Sequence, residues 1–179
     1  MRRTLVSVAL AMLLPWAAQA MAPNAVARAD VDRYVGTWYE IARLPNDVEQ
    51  GCVRDAMSLY ERRSEAAIRI TYVCRNAAGE EERHQAVARI RETRSQAKLE
   101  LRFAPLALAW WPFVWDDVWL LEIAPEYSYM MAGDPSGQTL WIYSRTPTLD
   151  PSVYAMLVAH AAAQGYDTSK LIRGAHSPR

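Results

Sequence analysis

From Gly36 onward the chain reads as one short extended run after another, each cut off by turn residues. Residues 38–44, 53–62, 68–72, 83–91, 99–103, 118–123, 127–132 and 139–144 are the candidate strands. The clearest are Ile68-Arg69-Ile70-Thr71-Tyr72 and Leu99-Glu100-Leu101-Arg102-Phe103, which alternate apolar and polar as half-buried strands do. Asn76-Ala77-Ala78-Gly79 and Asp134-Pro135-Ser136-Gly137 read as turns. Many short strands joined by short turns fit an antiparallel sandwich or barrel. One helix is expected after them. Asp150 suits its N-cap, Pro151 its first position, and Gly165 the residue past its end. Val153, Met156, Leu157 and Ala161 make a stripe to pack on the outside of the sheet. With no internal repeat or linker, the 179 residues form a single domain, and 7 Trp and 9 Tyr supply its core.

The first twenty residues read as a secretory leader: Arg2 and Arg3, a mostly apolar run over 5–16, and the small-x-small site Ala18-Gln19-Ala20. An uncleaved anchor is the alternative, though the run is short for a membrane span. Residues 21–30 form a flexible lead-in, 31–175 the folded domain, and 176–179 a tail. Cleavage leaves 18 basic against 20 acidic groups, a balance unlike that of a nucleic-acid binder. Two Cys and three scattered His do not make a zinc site, and no metal or cofactor is expected. The first cysteine, Cys52, lies far past the leader, so no lipoprotein acylation site follows the hydrophobic run. The expectation is an exported protein, periplasmic if bacterial, with outer-membrane association through a surface loop. Export permits a disulfide, and Cys52 with Cys74 is the available pair, the alternative being two buried thiols.

The stretch from Gly36 to Arg43, reading Gly-Thr-Trp-Tyr-Glu-Ile-Ala-Arg, resembles the opening Gly-x-Trp motif of the lipocalins. Leu140-Trp141-Ile142-Tyr143-Ser144-Arg145-Thr146-Pro147-Thr148-Leu149 resembles their closing motif, in the form of the bacterial and apolipoprotein D-like branch. The resemblance spans roughly residues 30–175. It implies an all-β protein: an up-and-down antiparallel eight-stranded barrel, closed at one end, with one flanking C-terminal α-helix. It assigns Trp38 and Arg145 to the closed end as structural residues, a guanidinium stacked on an indole. In such a barrel Cys52 falls in the first mouth loop and Cys74 at the same rim, so a bridge ties loop to wall.

Alternation from these anchors orients the strands. Arg145 inward carries Tyr143 and Trp141 with it. Leu101 and Phe103 face in, leaving Lys98, Glu100 and Arg102 for water. Met57, Leu59, Ala86, Ala88, Ile90, Tyr129 and Met131 are further lining candidates. Val118 and Leu120 join them on the family pattern, because their strand is apolar on both faces. Ordinary core packing is the alternative for each. Trp38 inward also turns Glu40 and Ala42 inward; a carboxylate there needs a partner, such as Arg145 or Tyr143, or a bulge that turns it out. The mouth loop from Leu106 to Trp115 has no charge and carries Trp110, Trp111, Phe113 and Trp115. It is either a portal dipping into a membrane or a lid over its own barrel.

The function implied is carriage or storage of a small apolar ligand, a fatty acid or lysophospholipid, for envelope lipid maintenance. An enzyme acting on a bound lipid through Cys52, Asp116, Asp117 or Glu40 is the alternative. No Gly-x-Ser-x-Gly, His-Glu-x-x-His or phosphate loop accompanies those groups. The third reading is an envelope docking protein using its apolar loop. Oligomeric state is left open.

Overall fold

The structure, a computed structural model, describes residues 23–103 and 105–177. The expected leader, residues 1–20, lies outside them. A one-turn helix, α1 (Val31–Tyr34), precedes eight strands: β1 (Gly36–Arg43), β2 (Arg54–Ser64), β3 (Ala67–Arg75), β4 (Glu81–Ile90), β5 (Lys98–Arg102), β6 (Asp116–Ile123), β7 (Tyr129–Gly133) and β8 (Leu140–Ser144). Each pairs antiparallel with the next, β8 returns to β1, and β1 pairs with β2, which closes the barrel. The eight strands are those expected, displaced by a few residues at their ends. The disulfide between Cys52 and Cys74 is present, with Cα atoms 5.5 Å apart. Replacing both cysteines with serine should cost about 3 kcal/mol in urea unfolding, through the lost restraint on a loop of 22 residues.

Helix α2 (Pro151–Ala163) begins where its cap predicts: Asp150 accepts from the backbone N–H groups of Ser152 and Val153. It covers β1, β7 and β8 from outside, where Leu157 and Ala161 meet Ile41, Met131, Leu140 and Ile142. Met156, expected on that stripe, is exposed instead.

Two segments depart from expectation. Residues 24–30, expected to be loose, run along the barrel: Val26 N–H donates to Leu120 at 2.8 Å, Ala29 N–H to Ser95 at 2.7 Å, and Ala29 is buried. Residues 172–177, including His176 and Ser177 of the expected tail, are part of the wall. Above Tyr39, β1 leaves β2, and a ninth strand, β9 (Ile172–Arg173), pairs with it there. Gly174 N–H then donates to Ile41, Asp55 N–H to Ala175, and the His176 ring bonds the Glu40 carbonyl at 2.8 Å. A Cβ on Gly174 would lie 2.2 Å from that carbonyl oxygen, so the close approach requires glycine.

Candidate functional site

The closed end is built on Trp38 and Arg145. The guanidinium carbon sits 3.7 Å from the centre of the indole ring. Its nitrogens donate to the carbonyls of Arg33, Val35, Thr37 and Tyr127, at 2.8–3.3 Å. Trp38 Nε1 donates to the Tyr34 carbonyl at 2.7 Å, which ties α1 across the floor. Gly36 turns at φ +101°, and any side chain there would press on Arg145.

Strand register decides which side chains face in. Trp38 pairs with Ser58, and Gly36 with Tyr60, so Ser58 and Tyr60 share the inner face. Met57 and Leu59 therefore face out, contrary to expectation. Leu59 is exposed, and Met57 lines an outer groove with Tyr39, Val73 and His176. Tyr129 and Met131 also face out, under α2 in the case of Met131, while Met130 and Ala132 face in. Ala86, Ala88, Ile90, Leu101, Leu120, Trp141 and Tyr143 belong to the inner cluster as expected, and Val118 packs against it. Phe103 stands at the rim with its ring 5.7 Å from that of Tyr72. The outer face of β5 does not lie open to water. Trp115 covers it, its ring 4.0 Å from the Arg89 guanidinium and 5.1 Å from that of Arg102, and Arg102 is buried.

Inside the upper barrel lies a charged cluster that sequence reasoning only half anticipated. Glu40 faces in, and its partner is Arg43, not Arg145 or Tyr143. A bulge falls between Glu40 and Ala42, after Glu40 rather than on it. It sends Ala42 out to the helix side and brings Arg43 round to the inner face beside Trp141. Arg43 Nη1 donates to Glu40 at 2.7 Å, and Nη2 donates to the carbonyls of Glu49 and Cys52 at 3.1 Å. Glu49 reaches in from the loop after β1. Its Oε2 accepts from Trp141 Nε1 at 2.8 Å and from Asn46 Nδ2 at 2.7 Å. All three charged residues are at most 5% exposed. Two carboxyls thus share one guanidinium. Burial and the neighbouring Glu49 hold the Glu40 carboxyl well above the usual carboxylate range, with Arg43 opposing. Below this cluster, Ser58 Oγ donates to the Tyr143 hydroxyl at 3.3 Å, among the buried rings of Tyr60 and Tyr72. Burial pushes the Tyr72 and Tyr143 phenols up as well. The interior is therefore two-sided: polar and aromatic on β1, β2 and β8, aliphatic on β4 to β7, with β3 contributing Ile68 and Ile70 beside Tyr72. Arg43 and Glu49 were missed because strict alternation points Arg43 outward and gives a loop residue no direction.

The mouth holds a cavity of about 500 Å³ between the loops after β1, β5 and β7. Leu101, Phe103, Val118 and Trp141 supply its apolar wall, and Asp47, Asp116 and Asp117 its rim. Beside it the uncharged loop forms two short 3-10 turns, Leu106–Leu108 and Pro112–Val114. Trp115 folds back on the barrel wall and donates through Nε1 to the Ala109 carbonyl at 2.9 Å. Trp110 and Phe113 do not fold back: they are 75% and 86% exposed, and Trp111 and Leu108 are exposed beside them.

The groups weighed for catalysis are not brought together. Cys52 is spent in the disulfide, Glu40 is tied to Arg43, and Asp116 and Asp117 sit at the rim. No described helix is long and apolar enough to cross a membrane.

A family profile described as a lipocalin-like domain matches residues 29–176. Among relatives, temperature-induced lipocalin-1 of Arabidopsis thaliana is 32% identical over 143 residues, covering 79% of this chain and 76% of its own. Outer membrane lipoprotein Blc of Escherichia coli K12 is 29% identical over 144 residues, covering 80% and 77%. Mouse apolipoprotein D is 26% identical over 147 residues, covering 79% and 74%. Among solved structures, lobster apocrustacyanin A1 superposes with a TM-score of 0.61 at 14% identity, over 89% of this chain and 92% of that one. The cockroach allergen Per a 4 gives 0.61 at 16%, over 89% and 97%.

Proposed function

Because the chain belongs to the lipocalin family, whose members bind small hydrophobic ligands, we propose that it carries or stores an acyl lipid, a fatty acid or lysophospholipid, in the cell envelope. The observation that carries this reading is the mouth cavity, with Leu101, Phe103, Val118 and Trp141 along its wall and barrel interior beneath. Its size falls in the usual range for small-ligand sites. Each methylene buried there contributes roughly 0.8 kcal/mol, offset in part by lost ligand and loop freedom. The test is displacement of a neutral fluorescent probe by unlabelled lipid. Phe103→Arg should weaken lipid binding at least about tenfold, a loss of roughly 1.4 kcal/mol, with the circular dichroism spectrum unchanged. Unaltered binding in that variant would move the ligand elsewhere.

The apolar loop favours a second, compatible role at a lipid surface. Trp110, Trp111 and Phe113 expose a continuous uncharged patch next to the cavity, and tryptophan suits the membrane interface. Export through residues 1–20 to a periplasm would place this patch beside a membrane. Both cysteines are bonded to each other, so neither is free to carry an acyl group. Flotation of the protein with liposomes should fall several-fold in Trp110→Ser/Phe113→Ser, while probe binding persists. Equal flotation of variant and parent would assign the loop to entry alone.

A further inference from the structure

We propose that Glu49 is an internal stand-in for the carboxylate of an acidic ligand, and that Arg43 and the indole N–H of Trp141 form the head-group subsite for which the two compete. The proposal rests on the acyl-lipid reading above and narrows it to long-chain monocarboxylates.

Glu49 belongs to no strand. It comes from the loop between β1 and β2, yet its carboxylate is carried into the barrel and left 3% exposed. There it takes the hydrogen bond of Trp141 Nε1, and Trp141 also lines the mouth cavity. The donor that Glu49 occupies is thus part of the wall that an entering ligand meets. Arg43 is incompletely served: its Nε is buried with no hydrogen-bond acceptor, and Glu49 Oε2 stands 4.0 Å away. A guanidinium offers five donors in a fixed fork suited to a carboxylate. Here Nη1 and Nη2 are taken by Glu40 and two carbonyls, which leaves the Nε edge open toward Glu49.

A fatty-acid carboxylate has the charge and the two oxygens of the Glu49 side chain. Exchanging one for the other keeps the buried charge constant, so Arg43 remains paired throughout. The Glu49 backbone is held, its carbonyl accepting from Arg43 Nη2 at 3.1 Å and its N–H donating to Asn46 Oδ1 at 3.0 Å, so the exchange is a rotation of the Glu49 side chain. Leu44, through its N–H to the Leu140 carbonyl at 2.9 Å, and Cys52, through its disulfide, fix the ends of the segment, so the wall stays closed while that side chain turns. The acid would enter head first, its chain trailing along Leu101, Val118 and Phe103. A fatty alcohol or an ester brings no charge to Arg43 and would not displace Glu49.

The experiment compares palmitate with hexadecanol as displacers of a neutral fluorescent probe, on the full disulfide-bonded protein and on Glu49→Gln and Glu49→Ala. Both variants should bind palmitate roughly tenfold or more tightly than the parent, while hexadecanol affinity stays within about threefold. In the parent, the Trp141 indole N–H resonance should shift further with palmitate, which replaces its acceptor, than with hexadecanol, which only packs against the ring, a readout that needs no variant to fold. Palmitate and hexadecanol moving together in the variants, or a Trp141 resonance indifferent to palmitate, would overturn the proposal and leave the acyl-lipid reading standing. A parent protein that binds neither compound would overturn both.

Discussion

Trp38→Ala should lower the free energy of unfolding by about 3–5 kcal/mol, the usual cost of emptying a fully buried large aromatic site. Trp38 has no exposed surface and, among the described residues, is the largest side chain buried so completely. Its loss removes more than apolar packing. The ring is the platform on which Arg145 lies, and its N–H holds the last carbonyl of α1. Arg145→Ala should cost somewhat less, about 2–3 kcal/mol, since it forfeits the stacking and several charged hydrogen bonds to backbone carbonyls. The double variant should fall short of the sum, because both single changes destroy the same stacked pair. Urea unfolding of the four proteins measures this coupling. Additive costs would mean that the pair is adjacent without being coupled. Probe affinity should be nearly unchanged in whichever variants fold, because the floor lies at the end of the barrel opposite the mouth loops.

How much of this was legible in the residues depended on what each strand faces. Leu99-Glu100-Leu101-Arg102-Phe103 announced its inner face correctly, because its neighbours inside are aliphatic. On β2 the same reasoning failed. Met57 and Leu59 look like the buried pair, yet the inner wall there is made of Ser58 and Tyr60, since that side of the barrel is polar. Hydrophobicity marks the inside only where the inside is apolar. The register with Trp38 was the better signal, because a motif tryptophan on the floor fixes its partner's face whatever the partner is. On β7 both faces are buried, one by the barrel and one by α2, so apolar character could not separate Met130 from Met131. Bulges set the remaining limit. One extra residue between Glu40 and Ala42 reverses every later side chain of β1. No composition or motif marks that residue, and with it Arg43 passes from the outer face to the centre of the site. Strand β9 was missed for another reason. Two residues pairing with an edge have no period to read, and only the meeting of Gly174 with Glu40 explains their place.

The buried charges should be the most sensitive point of the upper barrel. Arg43→Met should cost about 3–5 kcal/mol, the penalty for leaving buried carboxyls without their cation. Replacing the carboxyls as well, in Arg43→Met/Glu40→Gln/Glu49→Gln, should recover part of that loss, because no uncompensated charge then remains. The pH dependence carries the sharper test. Glu40 has a folded-state pKa raised above 4.5, its ordinary value, by burial first and by Glu49 second. The folded protein therefore holds a proton that the unfolded chain has released. Stability contributed by this group is intact below 4.5 and is lost as pH rises toward the folded value, at about 1.4 kcal/mol per pH unit across that window. The direction is opposite to that of a carboxylate held by a dominant salt bridge, which loses stability as pH falls. Glu40→Gln imitates the protonated form: its amide oxygen accepts from Arg43, and an amide N–H takes the place of the carboxyl O–H that faces Glu49. It should leave stability near pH 4.5 almost unchanged, raise it at pH 8, and flatten the slope between. Urea unfolding of the parent and Glu40→Gln at pH 4.5, 6 and 8 measures the difference. Parallel curves with the same slope would mean that Glu40 is ionised in the folded barrel and that Arg43 belongs to it alone.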